Sequence, residues 1–188
     1  MTVSVGLGGR SVCALMLNPS FDEKASTSYA VLEVVAELKG WSGVEVANLF
    51  PMRTRNSKAL AATSVRRADI LEARINIEAV LGRAAEVLFA WGVSRLPGEH
   101  GRLHREQVEW VVSRVAFYGH ESVWVMGGET RHPSRWRQYV GPQRALISGG
   151  STVERLDRAL VRRPLRDLAE AMSVVQGGID GDQGALRR

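Results

Sequence analysis

Cysteine and long apolar segments are both scarce in this 188-residue sequence. Cys13 is the single cysteine, which excludes an intrachain disulfide and a thiolate zinc or iron–sulfur site built by one chain. We expect this thiol, which stands in an apolar run, to pack as a small hydrophobic group. No segment approaches the roughly 20 apolar residues of a transmembrane helix, and the first residues lack the pattern of a signal peptide. We therefore expect a cytoplasmic protein without a membrane partner.

Acidic residues are few in the last third of the chain, where arginine accumulates. From residue 131 to residue 166, only Glu154 and Asp157 oppose the arginines at positions 131, 135, 137, 144, 155, 158, 162, 163 and 166. The planar guanidinium suits phosphate, so one interpretation is a surface for nucleic acid or nucleotide phosphates. A solvated basic face without a ligand explains the same charge equally well.

Short apolar runs alternate with amphipathic segments along the chain. The runs predict strands at 12–17, 44–50, 86–91 and 122–126, and the spacing of apolar residues predicts helices at 29–38, 69–81 and 103–117. This order is typical of an α/β domain whose mainly parallel four-stranded sheet is covered by helices on both faces, a three-layer sandwich.

We predict that this α/β domain spans residues 1–147. The two glycines of the segment 148–151 indicate a flexible joint. Beyond it, the apolar spacing predicts a C-terminal helical extension over 148–176 that packs on the domain and is interrupted at Pro164. The polar, glycine-rich residues 177–188 are expected to form a flexible tail.

Polar motifs follow three of the predicted strands. Asn18-Pro19-Ser20 comes after the first, Asn48 lies near the end of the second, and His132-Pro133-Ser134 follows the fourth. The carboxyl ends of parallel strands share one edge of a sheet, where α/β proteins bind ligands, so we expect one site there. Each side chain also has a structural interpretation, because asparagine caps turns and a loop histidine can bond to backbone.

Four motifs in series resemble those of the uracil-DNA glycosylase superfamily over roughly residues 12–140. They are Leu-Asn-Pro-Ser at 17–20, Asn-Leu-Phe at 48–50, Ala-Trp-Gly at 90–92 and His-Pro at 132–133. The same series is most similar to an uncharacterised bacterial and phage family. The resemblance implies a glycosylase-like fold, DNA or another nucleic acid as partner, and hydrolysis of an N-glycosidic bond at a flipped base without a cofactor.

The resemblance also implies roles for individual residues. Asn18 would position the attacking water and His132 would hydrogen-bond the departing base, while Asn48 and Phe21 would bind that base. Contacts to phosphate or to the nucleic-acid groove would come from Ser20, Ser134, Arg53, Arg131, Arg135, Trp136 and Arg137. Of these, Arg135 and Trp136 would enter the groove or fill the gap left by the flipped nucleotide. An aspartate at position 18 would be the stronger base.

Departures from the glycosylase pattern keep two other functions open. The segment Phe21-Asp22-Glu23-Lys24 replaces the usual glycines and stacking aromatic, and Arg135-Trp136-Arg137 replaces a proline-leucine wedge. The alternatives are an enzyme that processes a small nucleotide or nucleoside, and a non-catalytic nucleic-acid-binding module. No metal site is predicted, because Pro97-Gly98 and Gly101 favour a loop around the histidines at 100 and 104.

Overall fold

The computed structural model describes residues 2–4, 10–20, 26–54, 57–93, 96–144 and 146–177. Within them the strands are β1 (Thr2–Ser4), β2 (Arg10–Met16), β3 (Trp41–Asn48), β4 (Glu86–Phe89), β5 (Ser122–Met126) and β6 (Leu160–Pro164). The α-helices are α1 (Thr27–Lys39), α2 (Ser57–Ala61), α3 (Arg67–Leu81), α4 (Gly98–Phe117), α5 (Trp136–Tyr139), α6 (Thr152–Ala159) and α7 (Leu165–Gly177). Short 3₁₀ helices cover Pro133–Arg135 and Pro142–Arg144.

The strands form one mixed sheet in the order β1-β3-β2-β4-β5-β6. The inner strands β3, β2, β4 and β5 run parallel, and they correspond to the four strands predicted from the apolar runs. The outer strands β1 and β6 pair antiparallel to their neighbours. The α/β class is confirmed, while the sheet is wider and more mixed than predicted because both edges carry an added strand.

Helices cover both faces of the sheet, which explains why the inner strands are apolar on both sides. Alternate residues of β2 belong to two different cores: Ala14 packs with α1 and α6, whereas Cys13 and Leu15 pack with α3, α4 and α7. The Cys13 thiol is fully buried, and burial raises its pKa well above the usual range. It packs as a small hydrophobic group, as predicted.

The C-terminal segment differs from the predicted helical extension because it completes the sheet. Residues 160–164 form β6, with Arg162 opposite Trp124 and Pro164 opposite Ser122. A proline is tolerated at the end of an edge strand, where its missing N–H leaves no ladder bond unmade. The preceding helix α6 ends at Ala159. Residues 178–188 lie outside the described part of the chain.

The segment around Gly149 and Gly150 is anchored by α6. Ser151 caps this helix in a capping box with Glu154. The buried Arg155 donates from Nε to the Val140 carbonyl at 2.7 Å and from Nη1 to the Gly150 carbonyl. These bonds tie the predicted joint to the preceding loop.

Helix α4 begins earlier than predicted, at Gly98. His100 and His104 therefore lie one helical turn apart rather than in a loop. The close approach of the chain explains Gly101, where a Cβ would lie 2.3 Å from the Leu96 carbonyl oxygen. Among the described residues, no three histidine, cysteine or acidic side chains form a metal-binding group. No helix in those ranges is long and apolar enough to cross a membrane.

Candidate functional site at the carboxyl edge of the sheet

Asn18 and Asn48 both lie at the carboxyl edge of the sheet, on the neighbouring chain segments of β2 and β3. Asn48 is the last residue of β3 and stands opposite Met16 of β2. Backbone pairing continues one step further, because the Leu49 amide donates to the Met16 carbonyl and the Phe50 amide to the Leu17 carbonyl, each at 2.9 Å. Asn18 therefore lies at the same carboxyl edge, two residues beyond the position opposite Asn48.

His132 reaches the same edge through the end of β4, the other neighbour of β2. The Gly92 amide donates to the Thr130 carbonyl at 2.6 Å, and the Thr130 hydroxyl donates to the Gly92 carbonyl at 3.0 Å. A Cβ on Gly92 would lie 3.6 Å from the His132 Cβ. The strand order thus gives the sequence Asn48, Asn18, His132 along one edge, as the motif order predicts.

The Asn18 amide is oriented by three hydrogen bonds. Its Nδ2 donates to the Pro19 carbonyl at 3.0 Å, to the Thr54 carbonyl at 3.3 Å and to the Thr54 hydroxyl at 3.1 Å. Since two of these acceptors are carbonyl oxygens, only the NH₂ group can face them. The side-chain oxygen of Asn18 is consequently kept as an acceptor on the other side.

His132 is a neutral imidazole with a defined tautomer. Its Nδ1 lies 3.4 Å from the Ser134 backbone nitrogen, which donates to it, and 3.0 Å from the Ser134 hydroxyl. Burial, and secondarily the charge of Arg135, lower the pKa of His132 to about 4. At neutral pH Nδ1 is therefore an acceptor and Nε2 carries the proton. The site holds an uncharged N–H donor.

Asn48 contributes a buried acceptor. Its Oδ1 is shielded from solvent and has no hydrogen-bond partner within the described ranges. An unpaired buried carbonyl oxygen costs about 1–3 kcal/mol, and such groups concentrate where a ligand completes them. Asn48 is thus placed to accept a hydrogen bond from a bound molecule.

A buried polar chain that the sequence does not reveal holds the loop after β3. Gln107 of α4 is completely buried, and its Nε2 donates to the Leu49 carbonyl at 2.7 Å. Arg74 of α3 donates to Gln107 Oε1 at 2.7 Å. His104 stacks on Phe50 with ring centroids 6.4 Å apart, and burial lowers the pKa of His104 to about 4. Two helices thereby fix the backbone beside Asn48.

Most of the predicted phosphate contacts are available at the surface. Ser134, Arg135 and Arg137 are exposed. Arg53 donates to the Ser20 carbonyl at 3.2 Å, which brings those two predicted residues together.

The side chains of Arg131 and Trp136, both among the predicted phosphate or groove contacts, are engaged in contacts within the protein. Arg131 is bound to Glu129 at 2.7 Å and lies over the Tyr139 ring. The prediction for Trp136 is wrong, because its side chain is completely buried and its Nε1 donates to the Arg131 carbonyl at 2.6 Å. Trp136 is the first residue of α5, and its indole packs into the core with residues of α1 and α6. Phe21 lies outside the described residues.

We predict that Thr54→Val loosens Asn18. The variant keeps the size of the side chain but removes the hydroxyl acceptor, so the free energy of unfolding is expected to fall by about 1 kcal/mol. Urea denaturation measures this change, and the Asn18 side-chain amide resonances should move in NMR spectra. Thr27→Val, at the exposed start of α1, is the control. Unmoved Asn18 resonances would contradict the assigned contact.

The comparison with known proteins gives a family. Residues 4–134 match the model of a family described as "Protein of unknown function (DUF1643)", and the chain belongs to this family. No curated protein and no solved structure matches the chain.

Proposed function

We propose that this member of the DUF1643 family hydrolyses the N-glycosidic bond of a base in nucleic acid, most readily in DNA, with the base flipped into the site around Asn18 and His132. The observation that carries the proposal is the neutral His132, whose proton resides on Nε2 because Nδ1 accepts from Ser134. Cleavage leaves an electron pair on the departing base. An uncharged donor at that position stabilises the developing anion.

The two asparagines suit the other requirements of the reaction. The sugar becomes oxocarbenium-like as the bond breaks, and a water must be held at its open face. The Asn18 oxygen, fixed by the bonds of Nδ2 to Thr54, accepts a hydrogen bond from that water. The buried Asn48 oxygen accepts one from an N–H group on the base edge. An amide is a weak base, so we expect slow turnover.

The fold supports the proposal at a coarser level. Four parallel strands in the order β3, β2, β4, β5 carry the motifs to one edge of the sheet, and a mainly parallel four-stranded sheet is what the resemblance to the uracil-DNA glycosylase superfamily implies. The exposed Arg135 and Arg137 follow His132 directly. They can contact the phosphates on either side of a flipped nucleotide.

The test is formation of abasic sites on oligonucleotides that carry uracil, hypoxanthine, alkylated or phage-type modified bases. We expect product from at least one base and less product from Asn18→Asp. Although an aspartate is the stronger base, a carboxylate at position 18 would face the Pro19 and Thr54 carbonyl oxygens without a proton to donate. No product with intact nucleic-acid binding would favour the binding module. Cleavage of mononucleotides without binding to DNA would favour the small-substrate enzyme.

We predict that binding of nucleic acid depends on salt through Arg135 and Arg137. Each phosphate contact releases condensed counterions, so replacing both arginines with alanine should reduce the slope of log affinity against log salt by about two. Fluorescence anisotropy over a salt series measures it. Arg166→Ala, which removes an exposed arginine of α7, serves as the control. Affinity that does not change with salt would contradict a phosphate-binding surface here.

A further inference from the structure

A concave surface lies at the amino edge of the sheet, opposite the site of Asn18 and His132. It is a cleft of about 480 Å³, a volume typical of small-ligand sites. Arg10, Trp41 and Glu86, the first residues of β2, β3 and β4, contribute to its lining. The other lining residues are Lys39, Gly40, Trp124 and Arg162.

Trp124 forms an aromatic wall in this cleft, and the buried Trp41 supports it. Trp41 and Trp124 meet edge to face, with centroids 5.7 Å apart and planes at 69°. Trp124 Nε1 donates to Glu86 Oε2 at 2.5 Å, and Glu86 is 5% exposed. A buried carboxylate therefore fixes the orientation of a partly exposed tryptophan. This arrangement presents a preformed aromatic surface.

Cations exceed carboxylates around the wall. Arg10 is paired with Glu86 at 2.6 Å, and Lys39 is paired with Asp157 at 2.7 Å. Arg162 is exposed and, among the residues the structure describes, has no carboxylate within ion-pair distance. Its guanidinium carbon lies 5.7 Å from the centroid of the Trp124 ring. The cleft thus combines an aromatic wall with one uncompensated positive charge beside it.

We propose that this cleft binds a nucleoside monophosphate, that is, a flat heterocycle joined to one phosphate group. The heterocycle would pack against the partly exposed Trp124, which the buried Trp41 supports, since aromatic rings stack on bases of any sequence. The phosphate would accept hydrogen bonds from Arg162 and Arg10, whose planar forks match its oxygens. A free base would leave the charge of Arg162 unpaired, and inorganic phosphate would leave the Trp124 ring uncovered.

This binding site is independent of the proposed glycosidic cleavage, because the two sites occupy opposite edges of the sheet and share no residue. Binding here is measured without any activity assay. A failure of one proposal therefore leaves the other intact.

The experiment follows the indole N–H resonances of the five tryptophans in ¹⁵N-labelled full-length protein. Trp124→Phe identifies the Trp124 resonance, and adenosine monophosphate is then titrated into the wild-type protein. We expect the Trp124 resonance to shift and saturate, with much smaller shifts from adenosine or inorganic phosphate at equal concentration. Arg162→Gln should weaken binding about tenfold, since a charge-assisted bond is lost.

Arg166→Gln provides the matched control, because Arg166 is also exposed but lies on α7, outside the cleft. Its affinity should equal that of the wild type, and the same spectra show whether each variant is folded. The proposal is overturned if millimolar adenosine monophosphate leaves the Trp124 resonance in place. It is also overturned if Arg162→Gln binds as tightly as the wild type, or if phosphate alone binds as tightly as the nucleotide.

Discussion

Alanine at position 132 is expected to slow formation of abasic sites about a hundredfold, because one well-placed donor to a developing anion contributes on the order of 3 kcal/mol to transition-state stabilisation. The donor is the Nε2 proton of the neutral His132 ring, whose Nδ1 accepts from Ser134. Single-turnover rates on the base that the wild-type protein releases give the comparison. His132→Gln, which keeps an amide donor, should recover part of the rate.

His120→Ala is the matched control for the loss of an imidazole. His120 lies two residues before the start of β5, at the amino edge of the sheet, and burial, with a smaller contribution from the charge of Arg162, lowers its pKa. We expect its replacement to leave the cleavage rate unchanged. If His132→Ala cleaves as fast as the wild-type protein, the assignment of the leaving-group donor is wrong.

The pH dependence of the same reaction distinguishes a neutral donor from a cationic one. The pKa of His132 is lowered to about 4 from an unperturbed value of about 6.5, so the folded protein keeps this ring neutral throughout that interval. The unfolded chain binds the proton as the pH falls below about 6.5, and stability contributed at this position therefore decreases from there down to about pH 4. The cleavage rate of the wild-type protein should therefore have the same pH dependence near pH 6.5 as that of His132→Gln, with no inflection caused by His132.

The inner part of the sheet could be predicted because a strand that is buried on both faces appears in the sequence as a short, continuous apolar run. Four such runs predict β2, β3, β4 and β5. Because these strands are parallel, the polar residues that follow them lie at the same edge of the sheet. Strand β6 has no such apolar run, since only Leu160 of its residues is buried. An edge strand exposed along most of its length resembles the polar side of a helix, and Pro164 then resembles a helix breaker.

The supporting contacts of the site could not be predicted, because they join residues far apart in the chain. Thr54 holds Asn18 across 36 positions, and Gln107 holds the Leu49 carbonyl across 58. A threonine in a loop and a glutamine in a helix carry no local signal for these roles. The sequence does show that Asn18 is an amide, but only the contacts of its Nδ2 show why an aspartate would fit poorly.

The pattern Arg135-Trp136-Arg137 predicts an exposed turn, because arginines flank the aromatic residue. In the structure the two arginines are exposed while the indole between them is completely buried. Trp136 belongs to the core beneath α1 and α6. It therefore supports the turn that carries His132 and is not available to replace a flipped nucleotide.

Trp136→Ala is accordingly expected to lower the free energy of unfolding by about 3–5 kcal/mol, the range for truncating a buried aromatic residue to alanine. The variant opens a cavity in the core and leaves the Arg131 carbonyl without its indole donor. Urea denaturation measures the loss, and Arg137→Ala, on the exposed side of the same turn, should change stability by less than about 0.5 kcal/mol. If Trp136 instead inserted into a nucleic-acid groove, Trp136→Ala would retain its stability and lose affinity for nucleic acid. Unfolding of Trp136→Ala at low urea therefore separates a residue that builds the site from one that contacts the ligand.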